Sequence, residues 1–286
     1  MKIELKKYHG LGNDYIVFDP NKNNIKLTRE RVKLICNRNF GVGSDGILVG
    51  PIFNNNKIKV IILNPDGSEA EKSGNGVRIF AKYLWDNKYI KEDKFTLSTL
   101  GGDVEINYLS KSGDLIKVSM GKVTFWSDEI PVLGPRREVI NEEMFFNSVG
   151  YKVSCLSIGN PHCVIPLKEI SKELACKIGQ YSEVAEYFPS RINTQLLKVI
   201  DRDNIQIEIF ERGAGYTLAS GSSSCAAAAV AYKLGMVNNK VNVHMPGGIL
   251  QIEIQKDYNI LMTGKVIYIG EIKLSKEFTN ELLKIS

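Results

Sequence analysis

The sequence predicts a mixed α/β protein of the α+β kind, built as two pseudo-symmetric halves that each wrap a sheet around one central helix. Three observations carry this. Strand-like alternation fills most of the chain. Two small-residue turns, "SGNG" from Ser73 and "SGSS" from Ser220, each open an apolar run with helical spacing. The turns lie 147 residues apart in a chain of 286, and strands flank both, which is the pattern of an internal duplication.

The elements follow in order. An alternating strand from Lys2 to Tyr8 meets the turn "HGLGNDY", then the strand "YIVFD" and a helix from about Thr28 to Asn37. "NFGVGSDGILVG" and "KIKVIILNPDGSEAE" are glycine-punctuated strand ends with polar loops, the rims on which function collects. After Ser73, the spacing of Val77, Ile79, Phe80, Tyr83 and Leu84 predicts a helix buried on most sides. Strands return between Phe95 and Phe125, and the loop "DEIPVLGPRREV" is the candidate boundary. The second half repeats the plan: "VSCLSIGNPHCVIPL" and "INTQLLKVIDRDNIQIEIF", a helix from "SGSSSCAAAAVAYKL", then "KVNVHMPGGILQIEIQ" and "NILMTGKVIYIGEIKL". The domains expected are 1–126 with 273–286, and 127–272.

Composition narrows the function classes. A hydrophobic fraction of 43% and a charged fraction of 24% suit a globular chain. The net charge of +5 is dispersed, with no basic block or aromatic-interleaved stripe, which argues against nucleic acid. No apolar leader and no long apolar window occur, so the expected location is cytoplasmic, away from membranes. The five cysteines form no CxxC or metal spacing and read as reduced thiols. Nothing implies a metal, a nucleotide or pyridoxal phosphate: there is no P-loop, and "DGSEAE" lacks calcium-loop spacing.

A helix that begins at Gly74 or Gly221 presents unpaired N–H groups and the positive end of its dipole, so each start suits an anion. Two such starts gripping one carboxylate would place their serines beside the adjoining carbon. Removal of a proton on one face and delivery on the other is the work of a cofactor-free racemase. Serine is also a favoured N-cap, so either turn alone fits an ordinary cap.

The motifs "YHGLGNDYIVFD", "NFGVGSDGILVG", "NPDGSEAEKSGNGVR", "IGNPHCV", "INTQLLKV" and "ERGAGYTLASGSSSCAAAA" resemble, in order, the signature blocks of the diaminopimelate epimerase family. The resemblance implies a barrel-like sheet around each central helix, a homodimer, no cofactor, and a pyridoxal-independent inversion that serves lysine and peptidoglycan precursor synthesis. It implies substrate contacts at Asn13, Asn64, Asn160, Asn193 and Arg212, with Arg212 on a distal carboxylate. The carboxylate at the reacting centre would rest on Gly74, Asn75, Gly221 and Ser222. Glu211 and His162 stand where the family places groups that assist the acid/base pair.

The chain departs from the family where it matters most. The family's bases are cysteines, and their positions here hold Ser73 and Ser220. Tyr216 stands where an acidic residue is usual, and Ser222-Ser223-Ser224 where Thr-Gly-Ala is common. Three readings stay open: a paired Cys→Ser change made to trap a complex, a native divergent branch that reacts slowly with help from Glu211 and His162, or a binding protein that lost the chemistry. A racemase for another amino acid such as histidine, with Tyr216 near the pocket, and a proton-shifting isomerase using Glu211 are the wider alternatives.

Overall fold

The computed structural model describes residues 2–54, 57–71 and 73–285. It is a mixed α+β fold, dominated by strands, in two compact units: Met1–Val118 with Gly264–Ser286, and Ser119–Thr263. The change-over points at 118 and 263 precede the sequence boundaries of 126 and 272. Val123 N–H donates to Tyr258 O, and Thr124 bridges Ser157, ahead of the loop at 128–139. Its Ile130, Val132 and Val139 are buried with Met144, Phe146 and Val153 in the core of the second unit, so apolar burial overrides the Pro/Gly signal of a linker.

The first unit runs through β1 (Glu4–Gly10), β2 (Asn13–Phe18), α1 (Arg29–Cys36), β3 (Ile47–Asn54), β4 (Lys57–Leu63), β5 (Glu69–Ala70), α2 (Gly74–Asp86), β6 (Lys94–Thr99), β7 (Gly102–Tyr108) and β8 (Leu115–Lys122), which carries the chain across the first change-over. The second holds β9 (Glu142–Phe146), β10 (Val149–Ser157), β11 (Pro161–Pro166), α3 (Lys172–Ser182), β12 (Asn193–Asp201), β13 (Asn204–Glu211), β14 (Gly215–Thr217), α4 (Gly221–Lys233), β15 (Lys240–Met245), β16 (Gly248–Ile254) and β17 (Asn259–Lys265). β18 (Ile267–Lys273) and α5 (Lys276–Lys284) return to the first unit, where β18 pairs antiparallel with β1.

Strand pairing shows the duplication directly. In the first unit β1–β2 is antiparallel, β2–β3 parallel, β3–β4 antiparallel and β4–β6 parallel, with the short β5 also on β4. In the second unit β10–β11, β11–β12, β12–β13 and β13–β15 repeat the same senses, with the short β14 on β13. Each parallel step needs a crossover, and helices supply them at matching places: α1 and α3 at the first, α2 and α4 at the second.

The second crossover helix is the central one. α4 packs on β10, β11, β12, β13, β15 and β16, and its run Cys225–Ala231 is fully buried. Alanines let strands approach from all sides where larger side chains would not fit. α2 is as buried, yet carries two charged residues inside. Arg78 is wholly buried and donates to Asn75 Oδ1 at 2.6 Å, and Lys82 pairs with Asp86.

Helix α3 was unassigned from sequence, although its signals are present. Ser171 Oγ accepts from Leu174 N–H at 3.2 Å, and Ala175, Ile178 and Gly179 recur on the buried face. Gly179 lets α3 lie close to β13: a Cβ there would fall 2.2 Å from Phe210 Cγ. Gly179→Ala is therefore expected to cost about 1–3 kcal/mol through overpacking. The check is a lower urea midpoint at unchanged m-value.

Candidate active site

In the first unit the site is built on the start of α2. Ser73 has extended backbone, φ −137° and ψ 117°, and its Oγ accepts from Gly76 N–H at 3.0 Å. The Tyr15 hydroxyl donates to the same Oγ at 3.3 Å. Two donors aimed at one hydroxyl oxygen favour developing negative charge there. The Gly74 and Asn75 N–H groups have no intrahelical acceptor and remain for an anion. Asn75 Nδ2 donates to Asn13 Oδ1 at 3.1 Å, and Asn13 Nδ2 donates to Asp45 Oδ2 at 2.8 Å. Arg38 bridges Asp45 and Asp14 at 2.6 and 2.8 Å. Asn13, Ser73, Gly74 and Asn75 thus form one bonded patch. Asn64 spends its bonds in its own turn, where Nδ2 donates to Ser68 Oγ at 3.0 Å and the backbone N–H to Ser68 O at 2.8 Å.

The second unit repeats the cap. Ser220, at φ −146° and ψ 128°, accepts from Ser223 N–H at 3.4 Å, and α4, like α2, runs for 13 residues. Here the neighbour is an acid instead of a phenol. Burial pushes the Glu211 carboxyl up, and the polar Ser220 and Thr217 side chains near it offset part of that rise. Ser222 N–H and Gly221 N–H lie in the first turn of α4 and have no intrahelical acceptor. Arg212 is exposed, with its N–H on Asn193 Oδ1 at 3.0 Å and Nη1 on Ser190 O at 2.9 Å. Most of its five side-chain donors stay available to a carboxylate. Asn193 Nδ2 in turn donates to Pro161 O at 2.8 Å.

His162 is wholly buried, with Nε2 3.0 Å from Asn160 Oδ1 and Nδ1 3.3 Å from Gln195 Oε1. Burial, and the Arg212 charge after it, push the imidazole down to about 3, so the ring is neutral at ordinary pH. Tyr15, Gln195, Ser223 and Asp45 lie inside the quoted motifs but receive no site role from sequence, because what marks them is contact with a site residue.

Tyr216 is not where the histidine-racemase alternative needs it. Side chains alternate along a strand, and Phe210, paired with Tyr216, packs on Gly179 of α3. The Tyr216 hydroxyl donates to buried Glu208 at 2.7 Å, and Lys172 Nζ sits 5.2 Å from its ring centroid. Glu211 and Thr217 point to the other face. Tyr216→Phe, which leaves Glu208 short of a donor, should cost about 1–3 kcal/mol of stability. Substrate affinity should stay unchanged by calorimetry.

Fold and site define an architecture of two duplicated halves, each with a serine-capped helix start. Residues 5–126 and 154–269 match the family model described as diaminopimelate epimerase. A relative from Nostoc sp., "Diaminopimelate epimerase 2", is 52% identical over 276 residues, 96% of each chain. Another, "Diaminopimelate epimerase" from Caldanaerobacter subterraneus subsp. tengcongensis, is 36% identical over 95% of this chain and 100% of its own. The chain belongs to the diaminopimelate epimerase family. A solved structure of a probable proline racemase from Agrobacterium radiobacter, with bound carbonate, shares the fold at TM-score 0.69 and 14% identity, covering 96% of this chain and 93% of that one.

Proposed function

We propose that the chain is an isomerase that inverts the α-carbon of LL-diaminopimelate to the meso form without pyridoxal, slowed by its serine pair. The observation that supports this most is the matched pair of capped helix starts, each with a hydroxyl at the cap and free N–H groups behind it. In this reading the substrate carboxylate takes the N–H groups of Gly74, Asn75, Gly221 and Ser222. Those dipoles stabilise the negative charge that develops when the α-proton leaves. Ser73 and Ser220 serve opposite faces of that carbon.

The two serines are not equivalent. On the Ser220 side, the raised Glu211 carboxylate takes the α-proton, directly or through the serine hydroxyl. On the Ser73 side, the hydroxyl returns a proton and is reprotonated by way of Tyr15. His162, neutral and bonded at both nitrogens, positions Asn160. Asn13, Asn64, Asn160, Asn193 and Arg212 contact the diamino diacid, with Arg212 on its distal carboxylate.

The same reading assigns the chain to lysine and peptidoglycan precursor synthesis, in the cytoplasm and as a homodimer. Among the described residues no helix is long and apolar enough to cross a membrane. The test is incubation in deuterated water. α-Deuterium should enter LL- and meso-diaminopimelate but not histidine or proline, and no incorporation into diaminopimelate at high enzyme concentration would overturn the assignment.

A further inference from the structure

Helix α2 carries a buried cation that the mechanism above does not use. Arg78 is 0% exposed, and its Nη2 donates to Asn75 Oδ1 at 2.6 Å. Asn75 Nδ2 donates to Asn13 Oδ1 at 3.1 Å, and Asn13 Nδ2 to Asp45 Oδ2 at 2.8 Å. Asp45 is paired in turn with Arg38. A row of hydrogen bonds therefore runs from a buried guanidinium, through the two amides that border the anion site on α2, to an ion-paired carboxylate.

We propose that Arg78 is a positioning residue that locks the side chains of Asn75 and Asn13 in one orientation behind the anion site at the start of α2. Its bearing on diaminopimelate rests on the function proposed above, whereas the lock itself does not.

The ends of the row decide its direction. A guanidinium has donors only, so the atom of Asn75 that faces it is the carbonyl oxygen. A carboxylate has acceptors only, so the atom of Asn13 that faces Asp45 is the amide nitrogen. The middle bond, from Asn75 Nδ2 to Asn13 Oδ1, then satisfies both amides at once. Turning either amide, or both, would set like groups together at two contacts. No hydroxyl or imidazole stands in the row, so no member can exchange donor and acceptor roles to absorb such a turn.

Arg78 matters because Asn75 is only 5% exposed. Without the guanidinium, its carbonyl would be a buried acceptor short of that donor, which drives the side chain out of the row. Asn13 would then lose its own donor, and the turn that carries the Gly74 and Asn75 N–H groups would lose a brace. Packing alone does not call for the arginine. The 147-residue offset that pairs Ser73 with Ser220 puts Cys225 opposite Arg78 and Ser222 opposite Asn75. Cys225 is buried as completely, so the matching helix fills the matching position with a small, largely apolar side chain. Arg78 acts through Asn75 and Asn13.

The experiment is a double-mutant cycle on Arg78→Met and Asn75→Ala, with Arg78→Lys as the conservative control. It is read by calorimetric titration with diaminopimelate and by nitrogen-15 NMR of the side-chain amides. Arg78→Met should weaken binding about tenfold, the effect of losing one charge-assisted hydrogen bond, and should shift the side-chain signals of both Asn75 and Asn13. Arg78→Lys, which keeps a charged donor, should recover most of the binding and both signals. Asn75→Ala should weaken binding about as much with its backbone N–H intact, and Arg78→Met should add nothing further in that background. Additive losses, or an Asn13 signal unmoved in Arg78→Met, would overturn the proposal. If Arg78→Met does not fold, the guanidinium signals of Arg78 in Asn75→Ala give the same reading: they should shift together with those of Asn13, and either one unmoved overturns the lock. If no form binds diaminopimelate, the function proposed above falls, and the NMR signals alone decide on the lock.

Discussion

Ser73→Cys combined with Ser220→Cys is expected to raise α-proton exchange of diaminopimelate by at least about a thousandfold, because each unit of acidity recovered is worth roughly tenfold in rate. A free thiol ionises near 8.5 and falls further at a helix N-terminus, whereas a serine hydroxyl lies several units higher. The surroundings already suit an anion at position 73: the Gly76 N–H at 3.0 Å and the Tyr15 hydroxyl at 3.3 Å both point at the oxygen a sulfur would replace. At 220 the N–H of Ser223 stands at 3.4 Å, a looser distance that suits sulfur better than oxygen. The measurement is deuterium incorporation per unit enzyme in the double variant against the unaltered chain. Unchanged exchange, with both proteins folded, would show that the chemistry does not pass through these two positions.

What could be read beforehand divides along a physical line. The duplication was legible because two turns of the same chemistry open two apolar helices, and local sequence dictates a cap. The strands were legible from alternation, with ends that moved by a residue or two: Lys2–Tyr8 became Glu4–Gly10, and Thr28 proved to be the cap of α1 and not its first turn. α3 was missed because Gly179 breaks its helical pattern, for a reason that exists only across the sheet, the ring of Phe210. The loop at 128–139 reads as a linker because Pro and Gly mark turns, while the burial of Ile130, Val132 and Val139 depends on contacts that the local sequence does not show.

The site shows the same division. Motif positions nominate Ser73, Ser220, Glu211 and His162, but not which groups lie against them. Tyr15 lies 58 residues from the serine it contacts, and Gln195 lies 33 from His162. Tyr216 is the instructive failure. It sits inside a motif, yet strand alternation sends it to the α3 side, where it satisfies Glu208. Membership of a motif therefore does not imply membership of the site.

Glu211→Gln should lower exchange by about 10²–10⁴-fold, the usual worth of a positioned general base, and should remove the rising limb of the pH–rate profile. Burial holds the Glu211 carboxyl above its ordinary value, with the polar Ser220 and Thr217 side chains opposing part of that shift. The basic form accordingly fills only as pH climbs through the raised value, and the rate climbs with it. Stability moves the other way. The folded state keeps a proton on Glu211 at pH values where the unfolded chain has lost it, so stability is full below the unfolded pKa and declines as pH rises through the folded one. Glutamine, neutral throughout, should flatten that decline. Urea titrations across the acidic range read the stability arm, and deuterium exchange reads the rate arm. A variant that loses rate but keeps the rising limb would place the base elsewhere, whereas loss of both together assigns the proton transfer on the α4 side to Glu211.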